Sequence, residues 1–270
     1  MRPCTVNKLV IGGDAPPRVM GVLNVSPESF YHDSFVPTNE IHTKAVAMIE
    51  AGADMLDVGA RSTAPHAQAI SGTEEAGRID AALKELDGTG FTISVDTMNP
   101  WVLDVCLKHE IHAVNDIAGF CSAPYVKKVA DAGLPAIVMA TDYQPGDAVG
   151  ADATHKALDT VMQRCAAAGI DNYVLDPGIG LWTPFRSVDD DWELGRRFDE
   201  FLRYDRPLLA AVSRKSFIGN LLNKEPQERL AGSLAVTLTL LQKGASIVRT
   251  HDVKETVDTA RVFERLVKRR

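Results

Sequence analysis

The sequence predicts an α/β fold, a (β/α)8 TIM barrel. Three observations carry that expectation: eight short apolar runs recur at fairly even intervals, the stretches between them have helical spacing, and glycines stand where helices must end. Its 270 residues suit one such barrel, which commonly takes about 250. We expect a single domain over residues 1–270, since no linker or low-complexity tract interrupts the pattern. A doubly wound open sheet is the competing architecture. It would usually need fewer strands and a G-x-G-x-x-G loop after the first, where this chain has "NVSPESF".

In chain order, residues 4–17 predict a small hairpin turning at "GGD" and covering the lower end of the barrel. The barrel runs are "RVMGVLNV", "MLDVGA", "FTISVDT", "HAVNDIA", "PAIVMA", "NYVLDPG", "LLAAVS" and "SIVRTH". Each is continuous in hydrophobicity, as a strand covered on both faces should be. Between them, "IHTKAVAMIEAGA" puts Ile41, Ala45, Met48 and Ile49 on one stripe, and "TEEAGRIDAALKEL" does the same with Ile79, Leu83 and Leu86. Gly52, Gly133, Gly169 and Gly244 each fall where a helix C-cap needs a left-handed residue.

Composition narrows the function classes. The chain is 45% hydrophobic and 24% charged, ordinary for a globular protein, and its net charge of −7 supplies no basic field for a nucleic acid. The terminal "VKRR" reads as the solvated end of a last helix. Cys4, Cys106, Cys121 and Cys165 lie far apart without metal or disulfide spacing, which suggests a reducing compartment. The first residues lack the apolar core of a signal peptide, and no run approaches about 18 apolar residues, so a cytoplasmic protein without membrane partners is expected.

The chemistry concentrates at the C-terminal ends of the runs. Asn24, Asp57, Asp96, Asn115 with Asp116, Asp176, Ser213 to Lys215, and Arg249 with His251 end seven of the eight, and in a parallel barrel these ends share one mouth. A single strand-end Asp is more often a cap or loop residue, and Asp57 and Asp116 fit that reading. The joint pattern does not. Asp96, Asn115 and Asp176 suit a flat heterocycle with several ring donors and acceptors, and a guanidine-like edge would satisfy Asp176 bidentately. Asn24, Arg61, Lys215, Arg249 and His251 form a cationic half suited to phosphate oxygens. In "AAVSRKSFIGNLL", Ser213 reads as a cap, Arg214 as the partner of a neighbouring acid, and Phe217, Ile218, Leu221 and Leu222 as a helix face. Lys215 is expected to reach the site.

"VMGVLNVSPESF", "GADMLDVGARST", "ISVDT", "VNDI", "LDPGIG", "SRKSFIG" and "GSLAVTLTLLQKGASIVRTHDVKETV" resemble the ordered motifs of the dihydropteroate synthases, from about residue 18 to 265. The resemblance implies a TIM barrel, usually homodimeric, that joins a dihydropterin pyrophosphate to p-aminobenzoate with Mg2+ assistance. It implies pterin contacts from Asp96, Asn115, Met139, Asp176 and Lys215. Pyrophosphate contacts would come from Asn24, Arg61, Thr63, Arg249 and His251, with Asn24 nearest the metal. Thr63, Pro65, Leu181, Ser213 and Lys215 would border the arylamine. Lys215, Arg249 and His251 are the expected catalytic groups.

The chain departs from that family in its loops. "GARSTAPH" has Ala64 where an arginine is usual and Arg61 where an acid is usual. Ala140 follows Met139 in place of histidine, "GIGLWT" puts Leu181 where an aromatic lines the arylamine pocket, with Trp182 next to it, and "SPESFYHDSF" lacks Asp-Gly-Gly. These changes concern the second substrate and leave a substituted arylamine open as acceptor. The rivals are a pterin-dependent methyltransferase serving a corrinoid protein and a non-catalytic pterin-binding paralogue. Intact "SRKSF" and "RTHD" motifs, built for a diphosphate, weigh against both.

Overall fold

The computed structural model describes residues 1–27, 35–62 and 70–267. Eight parallel strands alternate with helices: β3 (Arg18–Asn24), β4 (Met55–Gly59), β5 (Ile93–Asp96), β6 (Ala113–Asp116), β7 (Ala136–Met139), β8 (Tyr173–Asp176), β9 (Leu209–Ala210) and β10 (Ile247–Thr250). They pair in the order β8-β7-β6-β5-β4-β3-β10-β9. A bridge between Leu175 and Leu208 closes the ring, and Leu175 N donates to Pro207 O at 2.9 Å. The (β/α)8 barrel is therefore the observed architecture.

The helices form the outer layer: α1 (Ile41–Glu50), α2 (Gly72–Lys84), α3 (Pro100–Cys106), α4 (Ala123–Asp131), α5 (Gly150–Ala167), α6 (Val188–Arg196), α7 (Ser216–Leu222), α8 (Leu230–Gln242) and α9 (Val253–Val267). Ile41, Ala45 and Met48 are buried and Ile49 packs against them at the edge, while Ile79, Leu83 and Leu86 are buried on the second predicted stripe. Gly52, Gly133, Gly169 and Gly244 all have positive φ, as their C-cap role demands. In α7, Phe217 and Ile218 are buried but Leu221 and Leu222 stay 65% and 41% exposed, because a seven-residue helix covers the barrel only with its first turn.

The lower end is closed by the N-terminal hairpin, β1 (Cys4–Val6) and β2 (Leu9–Ile11). Its turn lies at Asn7 and Lys8, with Asn7 at φ 55°, rather than at the expected "GGD". Asn tolerates the left-handed conformation, so the two-residue turn forms five residues earlier than the glycines suggested. Cys4, Val6 and Ile11 pack on the inward residues Met20, Met55, Ala113, Ile137, Val174, Leu209 and Ile247. Asn172 ties the hairpin to β8: its Oδ1 accepts from Thr5 N at 2.7 Å and its Nδ2 donates to Thr5 O.

This apolar floor sets the site. Side chains alternate along a strand, so two residues above Met55, Ala113, Ile137, Val174 and Ile247 the inward positions are Asp57, Asn115, Met139, Asp176 and Arg249. Polar strand ends converge because the period of two fixes which residue follows the floor.

Candidate active site

The centre of the mouth is Arg249. Its Nε donates to Asp57 Oδ2 at 2.6 Å and its Nη2 to Asp96 Oδ2 at 2.9 Å. Asn115 Nδ2 donates to the same Asp57 oxygen at 2.9 Å. Asp57 is thus no cap residue: it is fully buried in the middle of β4 and binds two side chains of the site. Position alone gave the signal, since Asp57 shares the inward parity of Met55. Asp116 does keep its loop role, accepting from Ala118 N and Phe120 N at 2.9 and 2.7 Å.

Burial raises the Asp96 carboxyl to about 7, opposed by Arg249 and reinforced by Asp57. Asp176 is also shifted upward by burial, with Lys215 and the Gly178 N–H acting against the shift. Gly178 N donates to Asp176 Oδ1 at 2.7 Å, which leaves the second carboxylate oxygen toward the mouth. Beside it, Met139 lies under Gly178, where a Cβ would meet the Met139 Cγ and Sδ at 3.0 and 3.1 Å. A flat ring between Asp96, Asn115 and Asp176 would therefore meet acceptors on its edge and a thioether on its face.

Lys215 donates its Nζ proton to Ile179 O and sits 5.0 Å from the Trp182 ring centroid. Burial lowers its ammonium to about 8, against the attraction of Asp176 and Asp191. Trp182 Nε1 donates to Gly178 O at 2.9 Å, and the indole lies so close to Gly146 that a Cβ there would fall 2.0 Å from its own. Trp182 is therefore the aromatic wall of this side, although Leu181 occupies the usual aromatic position and is half-buried.

His251 does not belong to a cationic half. Burial, and then the charge of Arg249, lower its imidazole to about 3, so it is neutral at physiological pH. Its Nδ1 lies 3.1 Å from Ser213 Oγ, which also accepts from His251 N at 3.2 Å. Ser213 thus faces β10, and Lys215 takes the N-cap position of α7. Arg214, at φ 56°, turns away from the mouth and binds Asp252 bidentately at 2.9 and 2.6 Å, the acidic partner expected of it.

Asn24 ends β3, with its Oδ1 accepting from Ser26 N at 3.1 Å. Arg61 is half-buried after β4 with no hydrogen bond or ion pair among the described residues. Thr63 and Pro65, and Ala64 between them, lie outside the described residues. Among the described residues, no three His, Cys, Asp or Glu side chains gather as a metal site. Sequence reasoning also missed Asp191 on α6 and Arg186 in the loop before it, which sit behind the 178–182 loop where no strand-end signal points.

Known proteins share this fold. The family described as "Pterin binding enzyme" matches residues 20–251. The dihydropteroate synthase of Escherichia coli K12 is 37% identical over 263 residues, spanning 92% of this chain and 91% of that protein. A dihydropteroate synthase from Coxiella burnetii in complex with pteroic acid superposes with a TM-score of 0.86 at 30% identity over 98% of both chains. The Xanthomonas albilineans dihydropteroate synthase with 4-aminobenzoic acid gives 0.87 at 31% identity over 99% of both.

Proposed function

This chain belongs to the pterin binding enzymes, among the dihydropteroate synthases, and on that premise we propose that it joins 6-hydroxymethyl-7,8-dihydropterin pyrophosphate to p-aminobenzoate or a related arylamine, releasing 7,8-dihydropteroate and pyrophosphate. The observation that carries the reading is Arg249, set between Asp57 and Asp96 with Asp176 and Asn115 on the same inward layer. Such a layer recognises a polar heterocycle at its acidic side and an anion at its cationic centre.

The residues divide the work by chemistry. Asp176 accepts from the amino edge of the pterin, Asp96 and Asn115 bind its remaining ring atoms, and Met139 packs on its face. Lys215 donates to the ring and borders the arylamine. Arg249, Arg61 and neutral His251 bind the diphosphate, and Thr63 joins them. When the bond from the exocyclic methylene to the diphosphate oxygen breaks, its electron pair leaves on the diphosphate, where Arg249 stabilises the charge. The arylamine nitrogen donates its lone pair to the methylene and then loses a proton. Ser213, Pro65, Leu181 and Thr63 border that amine, held close to the methylene.

Mg2+ suits this donor set. It binds few protein oxygens and keeps phosphate and water oxygens, so the Asn24 amide oxygen and the diphosphate would hold it. Its charge would stabilise the leaving diphosphate. The assembly we propose is a homodimer. Small-molecule substrates account for the site, and among the described residues no helix is long and apolar enough to cross a membrane. Cys4, Cys106 and Cys165 are buried free thiols, which favours the reducing cytoplasm.

Calorimetry with the dihydropterin pyrophosphate tests the reading. The protein should bind it, and Asp176→Asn should lose most of the affinity; equal affinity of both would contradict the assignment.

A further inference from the structure

We propose that Asp191 and Arg186, neither of which touches substrate, position and charge Lys215 through one shared peptide group. The inference deepens the proposed function, and its kinetic consequence rests on that reading.

The peptide between Ile179 and Gly180 is gripped at both ends. Its carbonyl accepts from Lys215 Nζ, and its N–H donates to Asp191 Oδ1 at 2.6 Å. A chain of ammonium, peptide and carboxylate polarises each member in the same sense, so the carboxylate strengthens the bond that holds the ammonium. The local backbone is built for this contact. Gly180 has φ +147°, and a Cβ there would lie 3.0 Å from Lys215 Nζ and 3.3 Å from Trp182 Nε1. Only glycine lets the lysine approach its own acceptor so closely. Gly178, two residues earlier, donates to Asp176 and accepts from Trp182, so the loop is pinned on both sides of the shared peptide.

Behind that peptide lies a buried ion pair. The Asp191 side chain is fully buried and the Arg186 side chain is 2% exposed, with Arg186 Nε 3.5 Å from Asp191 Oδ1. Among the described residues, Asp191 Oδ2 and Arg186 Nε and Nη2 have no hydrogen-bond partner. Such a pair gives little stability, because its own geometry is poor and the Gly180 N–H is the one donor shown on Asp191 among the described residues. Its position explains its presence: Asp191 grips the peptide that Lys215 grips, and Arg186 keeps Asp191 ionised.

The groups facing Lys215 are Asp176 from β8, Asp191 from α6, Arg186 from the loop before α6, Arg249 from β10, and the Trp182 ring; His251, just after β10, is neutral. Asp176 and Asp191 favour the ammonium, whereas burial, Arg249 and Arg186 oppose it. Asp191 acts on Lys215 more strongly than Arg186 does, so the pair as a unit supports the ammonium.

The test is a titration of Lys215 by NMR in protein labelled with [13Cε]lysine, its resonance assigned by loss in Lys215→Arg. Asp191→Asn keeps the acceptor for Gly180 N–H and removes the charge, so the Lys215 midpoint should fall by about half a unit to one unit. Because Asp191→Asn leaves Arg186 buried without a counter-charge, the double variant Arg186→Met with Asp191→Asn provides a second folded species. Its midpoint should lie between wild type and Asp191→Asn, and the alkaline limb of kcat/KM should follow the same order. Unchanged midpoints in both variants, with wild-type protein active, would overturn the relay. Shifted midpoints in an inactive wild type would leave the relay standing and refute the synthase reading instead.

Discussion

Arg249 Nε lies 2.6 Å from Asp57 Oδ2, and that one fully buried oxygen also accepts from Asn115 at 2.9 Å. Asp57 therefore connects a residue assigned to the diphosphate with one assigned to the pterin. Asp57→Asn preserves the shape and removes the charge. It should destabilise the protein by about 3 kcal/mol in urea denaturation, since an arginine loses a buried counter-charge. It should also lower kcat/KM at least about tenfold, because Arg249 is no longer aimed. Wild-type kinetics in a folded Asp57→Asn protein would show that Asp57 is only structural.

Lys215 gives activity an alkaline limb. Its ammonium is lowered to about 8, and deprotonation removes the positive charge that strengthens its hydrogen bonds to the Ile179 carbonyl and a pterin, so kcat/KM should fall as pH rises through about 8. The sign for stability is the reverse. Between about 8 and 10.5 the folded state holds fewer protons than the unfolded state, so stability from this group rises with pH across that window. Asp96, raised to about 7 from 3.8, holds more protons when folded and loses stability as pH rises from 3.8 to 7. Denaturation of Lys215→Met and Asp96→Asn against pH checks both signs. Lys215→Met should exceed wild type in stability most clearly below pH 8.

Trp182 lies between Gly146 and Lys215, on the side that the proposed function assigns to the second substrate. Trp182→Ala should raise KM for p-aminobenzoate about tenfold, the loss of roughly 1.4 kcal/mol of aromatic contact, and change the affinity for the pterin pyrophosphate much less. Steady-state kinetics with each substrate varied in turn separates the two. Equal losses for both substrates would move Trp182 out of the arylamine side.

Arg214 is next to Lys215 in sequence but serves the fold. Its guanidinium binds Asp252 and the carbonyls of Pro226 and Gln227. Arg214→Met should cost about 3 kcal/mol of stability by stranding Asp252, whereas turnover per folded molecule should fall far less than in Lys215→Ala. Denaturation and active-site-normalised kcat measure the two effects.

The barrel was legible because two periodicities alternate cleanly: strands buried on both faces, and helices whose stripes end at Gly52, Gly133, Gly169 and Gly244. The positions of Asp96, Asn115, Asp176 and Arg249 followed from their place at the C-terminal ends of the runs, which a parallel barrel brings to one mouth. Asp57 was misread although it shares the inward parity of Met55, since a carboxylate within "MLDVG" was weighed as a single strand-end cap, and its counter-ion Arg249 is 192 residues away. His251 was read as a cation because its type suggests one; only burial beside Arg249 makes it neutral. The hairpin turn was misplaced because Asn7 competes with glycine for positive φ. Asp191 and Arg186 left no trace, since Asp191 binds a backbone amide and Arg186 meets the site only through Asp191.

The most direct test of the central claim is pyrophosphate release. Purified protein supplied with 6-hydroxymethyl-7,8-dihydropterin pyrophosphate, Mg2+ and p-aminobenzoate should release pyrophosphate and form dihydropteroate in equal amounts, and Lys215→Ala should abolish the release. No release with p-aminobenzoate or with any of a panel of substituted arylamines would contradict the account.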